Sequence, residues 1–155
     1  MPSRPWVLLA YRLPREPSTP RAALWRALRR LGAVQIVDGL VALPDVERTR
    51  EHFGWLADGV VEAGGEATTW VATFTSPAQE RALQARMQEA IVSEYEGLVE
   101  AAAAAAAAPE LAHREVTRLR RELQRTVARD FSAPPERDAA RAAVLRLERA
   151  VEAAR

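Results

Sequence analysis

An α+β fold is predicted for this chain by three observations. Residues 6–75 alternate strand-length apolar runs with helix-length segments whose apolar positions recur every three or four residues. Two of the apolar runs are split by Asp38-Gly39, the dipeptide of a tight hairpin turn. From Ser76 onward the strand signals stop, and Pro77, Pro109 and Pro134-Pro135 punctuate three long helical patterns.

The first run, Trp6–Leu13, is continuous, apolar and of strand length, and Pro14 ends it. Arg15–Ser18 form a loop. Thr19 is the expected N-cap of a helix, with Pro20 at its first position, where the missing N–H costs nothing. Leu24, Ala27, Leu28 and Leu31 share one face of that helix; Arg26, Arg29 and Arg30 fall opposite, with Trp25 at the border. Gly32 suits the position just past the helix end.

Ala33–Val37 and Leu40–Leu43 are the arms of the hairpin. Asp45 is the expected cap of a second helix over 46–63, whose stripe is Thr49, Phe53, Leu56, Val60 and Ala63. Gly64-Gly65 ends it, and Glu66–Phe74, rich in Thr, Trp and Val, favours a strand. Two helices on one face of a small antiparallel sheet, in the order β-α-β-β-α-β, give a ferredoxin-like sandwich over residues 1–75.

Residues 76–155 read as an antiparallel helical arm. With Ser76 as cap, a helix to Ala108 would be about 48 Å long at 1.5 Å per residue, so part of it overhangs the sheet. Its stripe is Leu83, Met87, Ile91 and Leu98, and Ala101–Ala108 reads as nearly featureless surface. Ala112, Val116, Leu119, Leu123 and Val127 mark a helix over 110–129. Ala140, Val144, Leu147 and Val151, at heptad spacing, mark another over 136–154. Short connections make such helices antiparallel neighbours, packed on the sandwich, on each other or on a second protomer.

Net charge is +1, so the whole chain makes no electrostatic case for nucleic acid. The distribution does: residues 1–35 carry +6 and residues 111–155 carry +4, around an acidic middle. Every basic residue is Arg, which binds oxyanions bidentately where Lys acts as a point charge. With no Cys, disulfide, thiolate and zinc–thiolate chemistry are excluded. No apolar run approaches the ~20 residues that span a bilayer, and no secretory leader is visible, so a cytoplasmic protein without membrane contact is expected.

Catalytic signals are absent. His52 and His113 lie on separate helices outside any metal-ligand spacing; no phosphate loop or nucleophile elbow is present. The expectation is a non-enzymatic protein without cofactor or metal. The arginine clusters are the features with a binding rationale. Arg21, Arg26, Arg29 and Arg30 line the first helix beside Trp25, with Arg12 and Arg15 at the preceding strand end. Arg118, Arg121 and Arg125, with Arg114, form a stripe along the fourth helix, where Glu115 and Glu122 lie close enough to neutralise it.

Several of these segments resemble one family. Trp6-Val-Leu-Leu-Ala-Tyr-Arg-Leu-Pro-Arg-Glu-Pro17, Trp25-Arg-x-Leu-Arg-Arg-Leu-Gly-Ala33 and Asp38-Gly-x-x-x-Leu-Pro44 are similar to the N-terminal domain of ChrB, the chromate-resistance regulatory family. Glu47–Glu51, Trp55–Ala57, Gly64–Ala67 and Arg129-Asp-Phe-x-Ala-Pro134 with Arg137 continue the likeness over nearly the whole chain. The resemblance implies transcription control linked to chromate efflux, with DNA contact by this region. It also implies a second, chromate-sensing domain that family members carry; the expectation here is a homodimer or a partnership with a separately encoded ChrB C-terminal-type protein. A more distant similarity runs to the ferredoxin-like part of PaaX-type repressors and to CRISPR-associated ferredoxin-like nucleases. Those nucleases place an Asp where this chain has Tyr11-Arg12.

Overall fold

The computed structural model describes residues 4–154. In order these form β1 (Trp6–Arg12), α1 (Thr19–Leu31), β2 (Val34–Val37), β3 (Leu40–Pro44), α2 (Glu47–Glu62), β4 (Glu66–Ala72), α3 (Pro77–Ala106), α4 (Pro109–Ala128) and α5 (Pro135–Ala153). The chain divides into two compact units, Met1–Met87 and Gln88–Arg155, and the division falls within α3.

The first unit is built on a four-stranded antiparallel sheet in the order β2-β3-β1-β4. The most apolar run, β1, takes a central place. It pairs along its whole length with β4, from Trp6 opposite Ala72 to Arg12 opposite Glu66, and with β3 from Trp6 opposite Pro44 to Ala10 opposite Leu40. Alternation along β1 sends Trp6 and Leu8 to one face and Val7 and Leu9 to the other. On the first face Trp6, Val34 and Ala42 bury against Leu83 of α3, with Leu8, Ile36, Phe74 and Met87 at the margin. Trp6 also donates its indole N–H to the buried Glu80 carboxylate at 3.0 Å, so the polar edge of the ring is not left unpaired. Val7 and Leu9 point the other way, and α2 packs over β1 and β4. Phe53 of α2 is fully buried, a contribution of about 1.5–3 kcal/mol.

Two expected helix caps are corrected. The first helix begins at Thr19, which makes Ser18 the cap residue; its backbone is already helical (φ −78°, ψ −17°), and its hydroxyl makes no capping bond. Asp45 does not cap α2 either. It is held instead in a two-pronged ion pair by Arg50, at 2.5 and 2.7 Å, which keeps its carboxyl below the usual range. Val46 takes the cap position in extended backbone (φ −136°), and the Thr49 hydroxyl satisfies it from inside the helix. It accepts the Val46 N–H at 3.1 Å and donates to the Pro44 carbonyl at 2.6 Å.

In the second unit, Ile91, Tyr95, Leu98, Ala102 and Ala105 of α3 share one core with Ala112 and Leu119 of α4 and with Ala140, Ala143, Val144 and Leu147 of α5. The alanine run is therefore not featureless: Ala102 and Ala105 are buried, and their small side chains allow close helix approach. Among the described residues, no helix is long and apolar enough to cross a membrane.

Candidate nucleic-acid interface

Burial of Leu24 and Leu28 fixes the rotation of α1, and the remaining faces are left to solvent. Arg21, Arg26, Arg29 and Arg30 are all exposed, and none makes an ion pair with a described residue. The helix contains no acid. Arg29 and Arg30 in the last turn complement the helix dipole, whereas Arg21 sits at the positive end and opposes it. Four uncompensated guanidiniums on a 13-residue helix cost it stability, and they suit it to an anionic partner.

Trp25 is 58 % exposed, well past the border position that its spacing suggests. The Arg29 guanidinium stacks over its ring at 4.8 Å from the centroid. The i, i+4 spacing of an aromatic and an arginine carries that contact in the sequence, although the apolar stripe alone does not reveal it.

Arg12 ends β1 and donates to Glu66 at 2.7 Å, directly across the β1–β4 ladder. Both side chains are almost fully in water, so the pair holds Arg12 weakly. It borders a shallow depression lined by Ala10, Tyr11, Gly39, Ala67 and Thr68. Arg15 is exposed in the loop between β1 and α1. These six arginines belong to the first unit.

The stripe on α4, in the second unit, is divided. Arg118 is consumed by Glu115 at 2.7 Å and Glu122 at 2.8 Å, and its hydrogen bond holds the Glu115 carboxyl below the usual range. Arg121 and Arg125 are exposed and make no ion pair with a described residue. Arg120, which the stripe does not include, bridges to Glu148 of α5 at 2.7 Å.

A buried polar cluster in the second unit is not foreshadowed by the sequence patterns. Tyr95 is wholly buried and donates to Asp130 at 2.8 Å. The other oxygen of Asp130 accepts the backbone N–H groups of Ser132 and Ala133 at 2.8 and 2.9 Å. Burial, then the bond to Asp130, pushes the phenol well above its usual range. Burial also pushes the Asp130 carboxyl up, but the bonds from Ser132, Ala133 and Tyr95 outweigh it and hold the group below its ordinary value. The spacing of Ile91, Tyr95 and Leu98 marks Tyr95 as a core position; nothing local marks its partner.

His52 packs edge-on against Trp55 with ring centroids 5.4 Å apart. Among the described residues no group of three or more His, Asp or Glu side chains is placed to hold a metal ion.

The family model described as "Protein ChrB, N-terminal" matches residues 21–154. A curated relative, "Protein ChrB" of Cupriavidus metallidurans, is 35 % identical over 69 residues, which are 43 % of this chain and 21 % of the relative. The match thus spans about a fifth of that protein's length. No solved structure matches.

Proposed function

Because the chain belongs to the ChrB N-terminal family, we propose that it is a non-enzymatic, DNA-contacting module of chromate-responsive transcription control. In this reading the first unit is a ferredoxin-like sandwich that displays α1, and the second is a helical arm. The observation that carries the reading is the exposed row Arg21, Arg26, Arg29 and Arg30, free of acids and of ion pairs to described residues. Arg12 and Arg15 extend the row as phosphate contacts, Arg12 once released from Glu66. Arg121 and Arg125 add a second basic surface, and Arg118 adds little because two glutamates already neutralise it. In this reading the compartment is the cytoplasm.

Fluorescence anisotropy with the upstream DNA of the coding gene and a scrambled duplex, over a salt series, tests this. Wild type binds with a steep salt slope, and Arg26/Arg29/Arg30→Ala lowers both affinity and slope. Absence of binding at low salt overturns it.

A second reading, self-association through the helical arm, is favoured by Leu111 of α4 and Leu145 of α5, which are exposed at 52 % and 44 %. A monomeric mass at high protein concentration overturns that one.

A further inference from the structure

The two edges of the sheet are treated differently. The β2 edge is guarded: it is four residues long, its register slips between Gln35 and Val37, and Arg86 donates to the Gln35 carbonyl. Short length, a bulge and an arginine on the edge are all devices that prevent another strand from pairing there.

The β4 edge has none of them. It runs seven residues in unbroken register with β1, and among the described residues no strand lies on its outer side. From Ala67 to Ala72 it has no charge, no Pro and no Gly. Thr68, Thr69, Trp70 and Val71 are not buried, with Trp70 and Val71 each at 49 %. Alternation places those two on opposite faces, so both flanks of the free edge are apolar.

We propose that β4 is a homodimerisation strand, pairing antiparallel with β4 of a second copy about a twofold axis at Thr69. The strand's own charge pattern argues for a second copy. Full antiparallel overlap centred on Thr69 sets the lone charged residue, Glu66, across from Ala72 of the other chain, so no like charges meet. The axis stands normal to the sheet, and the eight-stranded sheet that results keeps α1 of both copies on one side. The contact is small, and half-dissociation in the micromolar range is expected. It stands independently of the DNA reading, because its readout needs no nucleic acid.

Two charge variants test it. Thr69→Lys and Thr69→Glu each set like charges face to face across the axis, whereas an equimolar mixture sets opposite charges there. Light scattering on the full chain at about 100 µM should give twice the 17.1 kDa chain mass for wild type. Each variant alone should give the monomer mass and, at concentrations too low for the wild-type dimer, the wild-type thermal melt, and the mixture should recover the dimer. A monomeric wild type overturns the proposal. So does a Thr69→Lys protein that stays dimeric, which would place the interface elsewhere, as on the exposed leucines of α4 and α5.

Discussion

The guanidinium of Arg29 lies 4.8 Å from the ring centroid of Trp25, one turn earlier on the same exposed helix. The contact stiffens a long cation without neutralising it, since an aromatic face attracts positive charge and carries none. An arginine tied to a carboxylate loses its field; one laid on a tryptophan keeps it.

That distinction separates the arginines of α1 from Arg118. Arg26/Arg29/Arg30→Ala should lower the slope of log affinity against log salt by roughly 2–3, near 0.9 for each duplex phosphate that is no longer neutralised. Arg29→Ala alone should change the melting temperature little, because an exposed cation–π contact is worth about 0.5–1 kcal/mol. A slope unchanged in the triple variant removes α1 from the interface.

Arg118→Ala should leave the salt slope unaltered, since Glu115 and Glu122 already satisfy that side chain. The stability cost should stay below about 1 kcal/mol, as for exposed ion pairs, and should shrink in high salt. A slope reduced as far as by Arg29→Ala would show that Arg118 leaves its glutamates for phosphate.

Much of this molecule is legible in its sequence, and the failures share a cause. Strand runs, helix stripes and the Asp38-Gly39 turn are local patterns, and each element forms within a few residues of its expected place. Caps are misread because they depend on competition. Asp45 has the chemistry of a cap but is taken by Arg50, five residues on, while Thr49 reaches back to fill the role. The buried alanines and the Tyr95–Asp130 bond depend on what lies opposite in space, which helical periodicity does not encode. For the candidate site, spacing identifies every exposed arginine of α1 and sets Glu115 and Glu122 beside Arg118, but only the structure shows that Arg12 is paired.

Glycine positions give a prediction of opposite signs. Gly39 sits in left-handed backbone (φ +77°), and a Cβ there would lie 2.6 Å from the Tyr11 carbonyl oxygen. Its own carbonyl accepts the Tyr11 N–H at 2.8 Å, so the turn cannot simply swing away. Gly39→Ala should cost about 1–3 kcal/mol. Gly59, inside α2 with open space around it, should gain roughly 0.5–1 kcal/mol on replacement by Ala. Urea midpoints of the two variants moving in the same direction would refute this account of the hairpin.

The Tyr95–Asp130 pair contributes to both ends of the stability–pH profile. The Asp130 carboxyl is held below its ordinary value of 3.8, so its stabilisation is fully present above that value and is lost as pH falls through the lowered one. Tyr95 is held above 10.0, so its stabilisation is present below pH 10 and is lost as the solution becomes more alkaline. Tyr95→Phe leaves Asp130 one donor short and should cost about 1.5–3 kcal/mol at neutral pH, the range for a bond to a charged group. It should also flatten the decline of melting temperature above pH 10. Asp130→Asn should flatten the acid decline below about pH 5 and leave part of the alkaline one. Melts followed by circular dichroism from about pH 3 to about pH 11 separate the two limbs. If both variants reproduce the wild-type profile with only a uniform offset, the cluster acts through packing alone and its titration plays no part.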